Sequence, residues 1–135
     1  MSNTTARFDV TKFETAAYDT PNEGPDLARG QVDKEFSTGF VGTGTGEALF
    51  CGMGSPADGA GYVVSERLVG SLDGRDGSFV IQHGGVMGAG TPPSTYGTII
   101  PGSGTGELAG ISGSIEIERT AEGEHFMHFS WELSA

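Results

Sequence analysis

The sequence predicts an all-β fold, a single antiparallel β-barrel of about eight strands. Three observations lead there. Apolar and polar residues alternate with period two in one short segment after another, and no long helical pattern interrupts them. Turn signals such as Asp73-Gly74 and Asp76-Gly77 separate these segments. The 24 glycines fall between and inside apolar runs with no Gly-X-Y period, as tight turns and kinked strands require and a collagen helix does not. A sandwich also fits many short strands. A meander whose strands each keep one apolar face, with glycines that let the sheet coil, favours the barrel.

The elements follow in order. Residues 1–5 are expected to be a flexible lead. Arg7–Tyr18 opens with Phe8 and Val10 on one side, and Phe13 breaks that phase, which predicts a bulge near Thr11-Lys12. Asp19–Asp26 is a loop by composition. Leu27–Phe40 is polar and alternating and reads as an edge or rim strand. Thr43–Gly52 places Thr45, Glu47, Leu49 and Cys51 on one face and Gly44, Gly46, Ala48 and Phe50 on the other. Ser55–Gly61 is a loop. Tyr62–Leu72 sets Tyr62, Val64, Glu66 and Leu68 together, Asp73–Gly77 turns, and Ser78–His83 returns with Phe79, Ile81 and His83 opposite Gln82. Ser94–Ile100 is a further strand. Pro101–Gly113 is a turn region in which Thr105–Ile111 could close one helical turn. Ile115 and Ile117 alternate with Glu116 and Glu118, and Glu124–Leu133 sets Met127, Phe129, Trp131 and Leu133 inward.

Composition bounds function. A chain of 135 residues can bury one sizeable core. Its formal net charge of −11, with no basic stripe, disfavours nucleic acid and anionic membrane as partners. A single cysteine permits no intrachain disulfide and fits a cytoplasmic location. The N-terminus shows neither the basic start nor the apolar run of a signal peptide, and no apolar stretch approaches the roughly 20 residues that span a bilayer.

Several residues invite chemistry. Glu66 shares a face with Tyr62, Val64 and Leu68, and a carboxylate among apolar groups is expected to have a raised pKa and to serve as an acid or base. Gln82 and His83 point to opposite faces, so one of them faces the interior; His83 shares its face with Phe79 and Ile81, and a histidine there could shuttle a proton. Glu47 shares a face with Leu49 and Cys51, in a cavity or at a rim. Tyr62, Val64, Leu68, Phe79, Tyr96, Met127, Phe129 and Trp131 are candidate pocket walls, although aromatic strand residues are more often core. His125 and His128 stand three apart on a strand, on opposite faces, so no metal site is expected. Gly42–Glu47 (GTGTGE) echoes Gly102–Glu107 (GSGTGE), but no Gly-Lys-Ser/Thr follows either, and an acid after the glycines would repel phosphate; tight turns or kinked strands account for both.

The run SERLVGSLDGRDGSFVIQHGG followed by PGSGTGELAGISGS resembles an uncharacterised bacterial domain family related in structure to the allene oxide cyclase barrel. The resemblance covers Phe8 to Leu133. It rests on Glu66-Arg67, Gly74-Arg75, Gly77–Val80, Gln82-His83 and Gly102–Gly110, and it departs at Phe13-Glu14, where the family leads one to expect tryptophan. It implies a small barrel with a mostly apolar interior, and it adds Glu14, at the acidic position of the first strand, to the candidates. Barrels of that wider group fold lipophilic substrates and steer their ring closure. The expectation is therefore a cofactor-independent cyclase or isomerase acting on a small lipophilic, polyketide- or fatty-acid-like substrate and assembled as a homo-oligomer. The alternative is a protein that only binds such a molecule.

Overall fold

The computed structural model describes residues 1–52 and 58–134. Nine strands occur among them: β1 (Ser2–Asp19), β2 (Leu27–Thr38), β3 (Phe40–Cys51), β4 (Ala60–Leu72), β5 (Arg75–Gly88), β6 (Thr91–Ile99), β7 (Thr105–Gly106), β8 (Ile111–Arg119) and β9 (His125–Leu133). All pairings are antiparallel. The order β4-β3-β2-β1-β9-β8-β6-β5 returns to its start because β4 also pairs with β5, so eight strands form a ring and the short β7 adds to β5. Closure removes the free edges where the ring is complete, at the β1–β9 and β6–β8 pairings.

The alternation read from the sequence becomes the inside and outside of this ring. Along β3, Phe40, Gly44, Gly46, Ala48 and Phe50 are buried while Val41, Thr45, Glu47 and Leu49 are exposed. The β4–β5 turn is tighter than expected. Leu72 pairs with Arg75, and Asp73 and Gly74 both take positive φ, as a two-residue type I′ hairpin requires. Register shifts in β1 between Val10 and Lys12 mark the bulge that Phe13 announced.

Five expectations are corrected. Leu27–Phe40 is no edge or rim: β2 lies between β1 and β3, its acids Asp33 and Glu35 outward and Lys34 buried by an ion pair. Ser2–Phe8 is not a loose lead, since it pairs residue by residue with β9 and closes the ring. Thr105–Ile111 makes no helix; Leu108, Ala109 and Ile111 donate to carbonyls three residues back, as successive turns do. The sixth strand starts at Thr91, where Pro92 and Pro93 sit beyond the stretch that pairs with β8 and so cost no ladder bond there. The loop expected over Ser55–Gly61 falls partly outside the described residues, and its last two residues already belong to β4.

The two ends of the ring differ. At one end a core of phenylalanines and aliphatics is tightly packed, with the Phe36, Phe40, Phe79 and Phe129 rings linked edge-on at centroid distances of 5.1 to 6.1 Å. At the other end β9 pairs only with Ser2–Phe8 of β1, and β8 only with Thr98 and Ile99 of β6. Beyond those pairings β1 to β6 continue as an open sheet, and its inner face forms a mouth. A second, smaller cluster of Val32, Ala48, Phe50 and Val64 lines that inner face.

Candidate functional site

Three ionisable side chains meet where the two clusters adjoin. Lys34 on β2, Glu66 on β4 and His83 on β5 all point inward and are 6, 1 and 5 % exposed. Lys34 Nζ donates to Glu66 Oε1 at 3.0 Å, and His83 Nε2 lies 3.2 Å from the same oxygen. Lys34 and Glu66 are two strands apart. They reach each other because the inward positions of the intervening β3 are Gly44 and Gly46, paired with Lys34 and Glu66 respectively. A Cβ on Gly44 would stand 2.6 Å from Glu66 Oε2. The GTGTGE run is thus a smooth groove along one strand, whereas its echo at Gly102–Glu107 is a turn followed by the two-residue β7.

Electrostatics reverses one expectation. Burial, the largest effect on Glu66, does push its pKa up, but the hydrogen bond from His83 and the charge and hydrogen bond of Lys34 together outweigh it and hold the carboxyl below its ordinary value. Glu66 is therefore ionised and cannot serve as a general acid near neutral pH. An ionised carboxylate only accepts, so His83 Nε2 carries the proton, and in the neutral ring Nδ1 is left as an acceptor. Glu66 Oε2 and His83 Nδ1 are both buried and have no protein partner.

The mouth lies farther along the inner face. Phe13, Thr15, Ala17, Asp26, Ala28, Phe50 and Gly52 border a concavity of about 400 Å³ there, and none of the three ionisable side chains lines it. The Phe13 ring, 56 % exposed, packs edge-on against Phe50 at 5.6 Å. Tyr62 meets the His83 ring edge-on at 6.0 Å, and burial, with a smaller effect of Tyr96, holds its phenol above the ordinary value and protonated.

The other candidates separate by face. Val64 lies with the triad in the lining cluster. Leu68, Phe79, Met127, Phe129 and Trp131 belong to the packed core and border neither the mouth nor the outer concavity. Glu47, Gln82 and Tyr96 point outward instead, because strand alternation fixes them opposite Ala48, His83 and Gly97. With Arg29, Leu49, Val63 and Ser65, and together with the inward-phase residues Ala48, Val64 and His83, they border an outer concavity of about 600 Å³. Glu14 also faces out and lies 3.7 Å from Lys12. His128 is held between Thr5 and Glu118 and His125 stacks on Phe8; among the described residues no group of His, Cys, Asp and Glu is placed to hold a metal.

Lys34 is the functional residue that sequence reasoning missed. Its signal was present: Val32, Lys34 and Phe36 share one phase of β2, so a lysine occupies an inward position between two apolar residues.

Comparison with known proteins adds a family. The model of a protein of unknown function (DUF3224) matches residues 4–131. The crystal structure of a protein of unknown function from the same family, from Shewanella oneidensis MR-1, is similar over 100 % of this chain and 98 % of its own, with 38 % identity and a TM-score of 0.88. No curated protein matches the chain. No described helix is long and apolar enough to cross a membrane.

Proposed function

Because the chain belongs to the DUF3224 family, whose name carries no activity, we propose a function from its geometry: a cofactor-independent isomerase or cyclase that takes a small lipophilic molecule into the mouth and moves one of its protons. The carrying observation is the pair of buried polar atoms without a protein partner, Glu66 Oε2 and His83 Nδ1, on the inner face that also carries the opening bordered by Phe13, Ala28, Phe50 and Asp26. A native interior seldom leaves such atoms without a hydrogen-bond partner.

In this reading Glu66 fixes the His83 tautomer with Nε2 protonated, and Lys34 keeps Glu66 ionised. His83 Nδ1 takes a proton from the substrate and returns it at another position, so the reaction needs no external acid or oxidant. The mouth selects the reactive conformer and supplies part of the entropic barrier. The acceptors favour a substrate whose polar end donates, such as a hydroxyl or enol, over a free carboxylate. The ring then serves as a barrel of the allene-oxide-cyclase type, a reading that draws on the sequence resemblance and on the closure of eight strands.

A second reading, a carrier that releases its ligand unchanged, is favoured by the near-complete burial of the triad. Native mass spectrometry of protein from its own host, followed by solvent extraction, tests both. The expected result is a co-purifying lipophilic molecule that the wild type converts and His83→Gln converts about 100-fold more slowly or worse while still binding it. Recovery of the molecule unchanged selects the carrier. Absence of any bound molecule, together with failure of an apolar fluorescent probe to enter, overturns both.

A further inference from the structure

We propose that the outer face of β3–β6 is the docking surface for a second copy of this chain, joined through the same face on both copies. The face carries an exposed apolar cluster at one end. Val41 and Leu49 on β3, Val63 and Val69 on β4, Val86 on β5 and Tyr96 on β6 are each 46 to 61 % exposed and occupy outward positions of four adjacent strands. Leu49 and Val63 pair directly, Val63 pairs with Gly84, and Gly84 pairs with Tyr96, so one row crosses the face. Leu49, Val63, Val86 and Tyr96 form one cluster, while Val41 and Val69 lie at the far end beyond Thr45, Glu47, Ser65, Arg67 and Gln82; scattered apolar residues need no explanation, but a contiguous cluster marks an interaction surface.

Charge selects the occupant. Over Val41–Leu49, Val63–Val69, Ser78–Val86 and Ser94–Thr98 the outward positions carry one acid, Glu47, and one base, Arg67, on a chain of net charge −11. A basic partner would be drawn to the acidic surfaces elsewhere, and an anionic membrane finds no basic cluster here. A face near neutrality, with one charge of each sign, suits a copy of itself, since a two-fold axis can set each charge against its opposite.

Size agrees as well. Four strands at about 4.8 Å spacing and nine residues at about 3.3 Å rise cover roughly 500–600 Å² in projection. The corrugated accessible area is larger and approaches the ~800 Å² per partner of a stable interface. The face is also hollowed, with a concavity of about 600 Å³ bordered by Leu49, Val63 and Tyr96 where a partner's side chains can seat.

Sedimentation velocity of the full chain across a concentration series tests the proposal. The wild type is expected to sediment as a dimer or larger closed oligomer. Val63→Lys at the centre and Tyr96→Lys at the edge each weaken association by roughly 30-fold or more. Phe13→Lys, an equally exposed apolar position on the inner face, leaves association unchanged. Tyr96→Lys keeps the test open if Val63→Lys does not fold. A wild type that stays monomeric at high concentration overturns the proposal. So does an oligomer indifferent to folded Val63→Lys or Tyr96→Lys, or one that Phe13→Lys disperses. Binding of the monomer to phosphatidylcholine vesicles would assign the face to lipid and overturn it too.

Discussion

Lys34 and Glu66 form a buried ion pair that each needs and neither explains alone. Removing one partner strands the other's charge in the core, so Glu66→Gln is expected to destabilise the fold by about 3–5 kcal/mol at neutral pH. The effect has a definite pH sign. The folded pKa of Glu66 lies below its ordinary value of 4.5, so its contribution is complete above that value and is lost as pH falls through the lower folded value. Urea unfolding at pH 7 and pH 3 should show the gap between wild type and Glu66→Gln narrowing in acid. An equal gap at both pH values would mean that shape, not charge, makes Glu66 matter. Glu66 itself was readable from strand phase. Its ionisation was not, because the groups that outweigh burial come from β2 and β5, 32 and 17 residues away in sequence.

At the scale of elements, ring closure depends on a join between the chain's two ends. Trp131 Nε1 on β9 donates to Thr4 Oγ1 on β1 at 3.0 Å, and Thr4 Oγ1 donates to Asp73 Oδ2 in the β4–β5 turn at 2.6 Å. One hydroxyl thus ties together both sides of the packed end. Thr4→Val keeps the volume but leaves the Trp131 N–H unpaired, and is expected to cost about 1–3 kcal/mol in thermal or denaturant unfolding, with β1–β9 amides losing protection first. The hairpin turn, the β1 bulge and the inward phases of β4, β5 and β9 were all legible, since each depends on residues within a few positions. The place of β2 in the sheet was not. A polar strand reads as an edge until a partner for its inward lysine is known, and that partner lies across the glycine groove of β3.

For the whole molecule, the net charge of −11 opposes both compaction and self-association. Raising NaCl from about 20 to 200 mM should therefore strengthen the proposed association, because the Debye length falls from over 20 Å to below 10 Å. Sedimentation at the two salt levels checks this, and weaker association at high salt would point to ion pairs instead of an apolar face. The amino-acid sequence by itself determined the strand content, most turns, the shared phase of Glu66 with Val64 and of His83 with Phe79 and Ile81, and a resemblance to an uncharacterised bacterial domain family. These rest on period two and local turn chemistry, which act over a few residues. Only the tertiary structure decided that the sheet closes, that Lys34 meets Glu66 and His83, that one end is packed and the other open, and that Glu47, Gln82 and Tyr96 share an outer surface. Those facts depend on which strands become neighbours, and no local pattern encodes a pairing between residues 2 and 131.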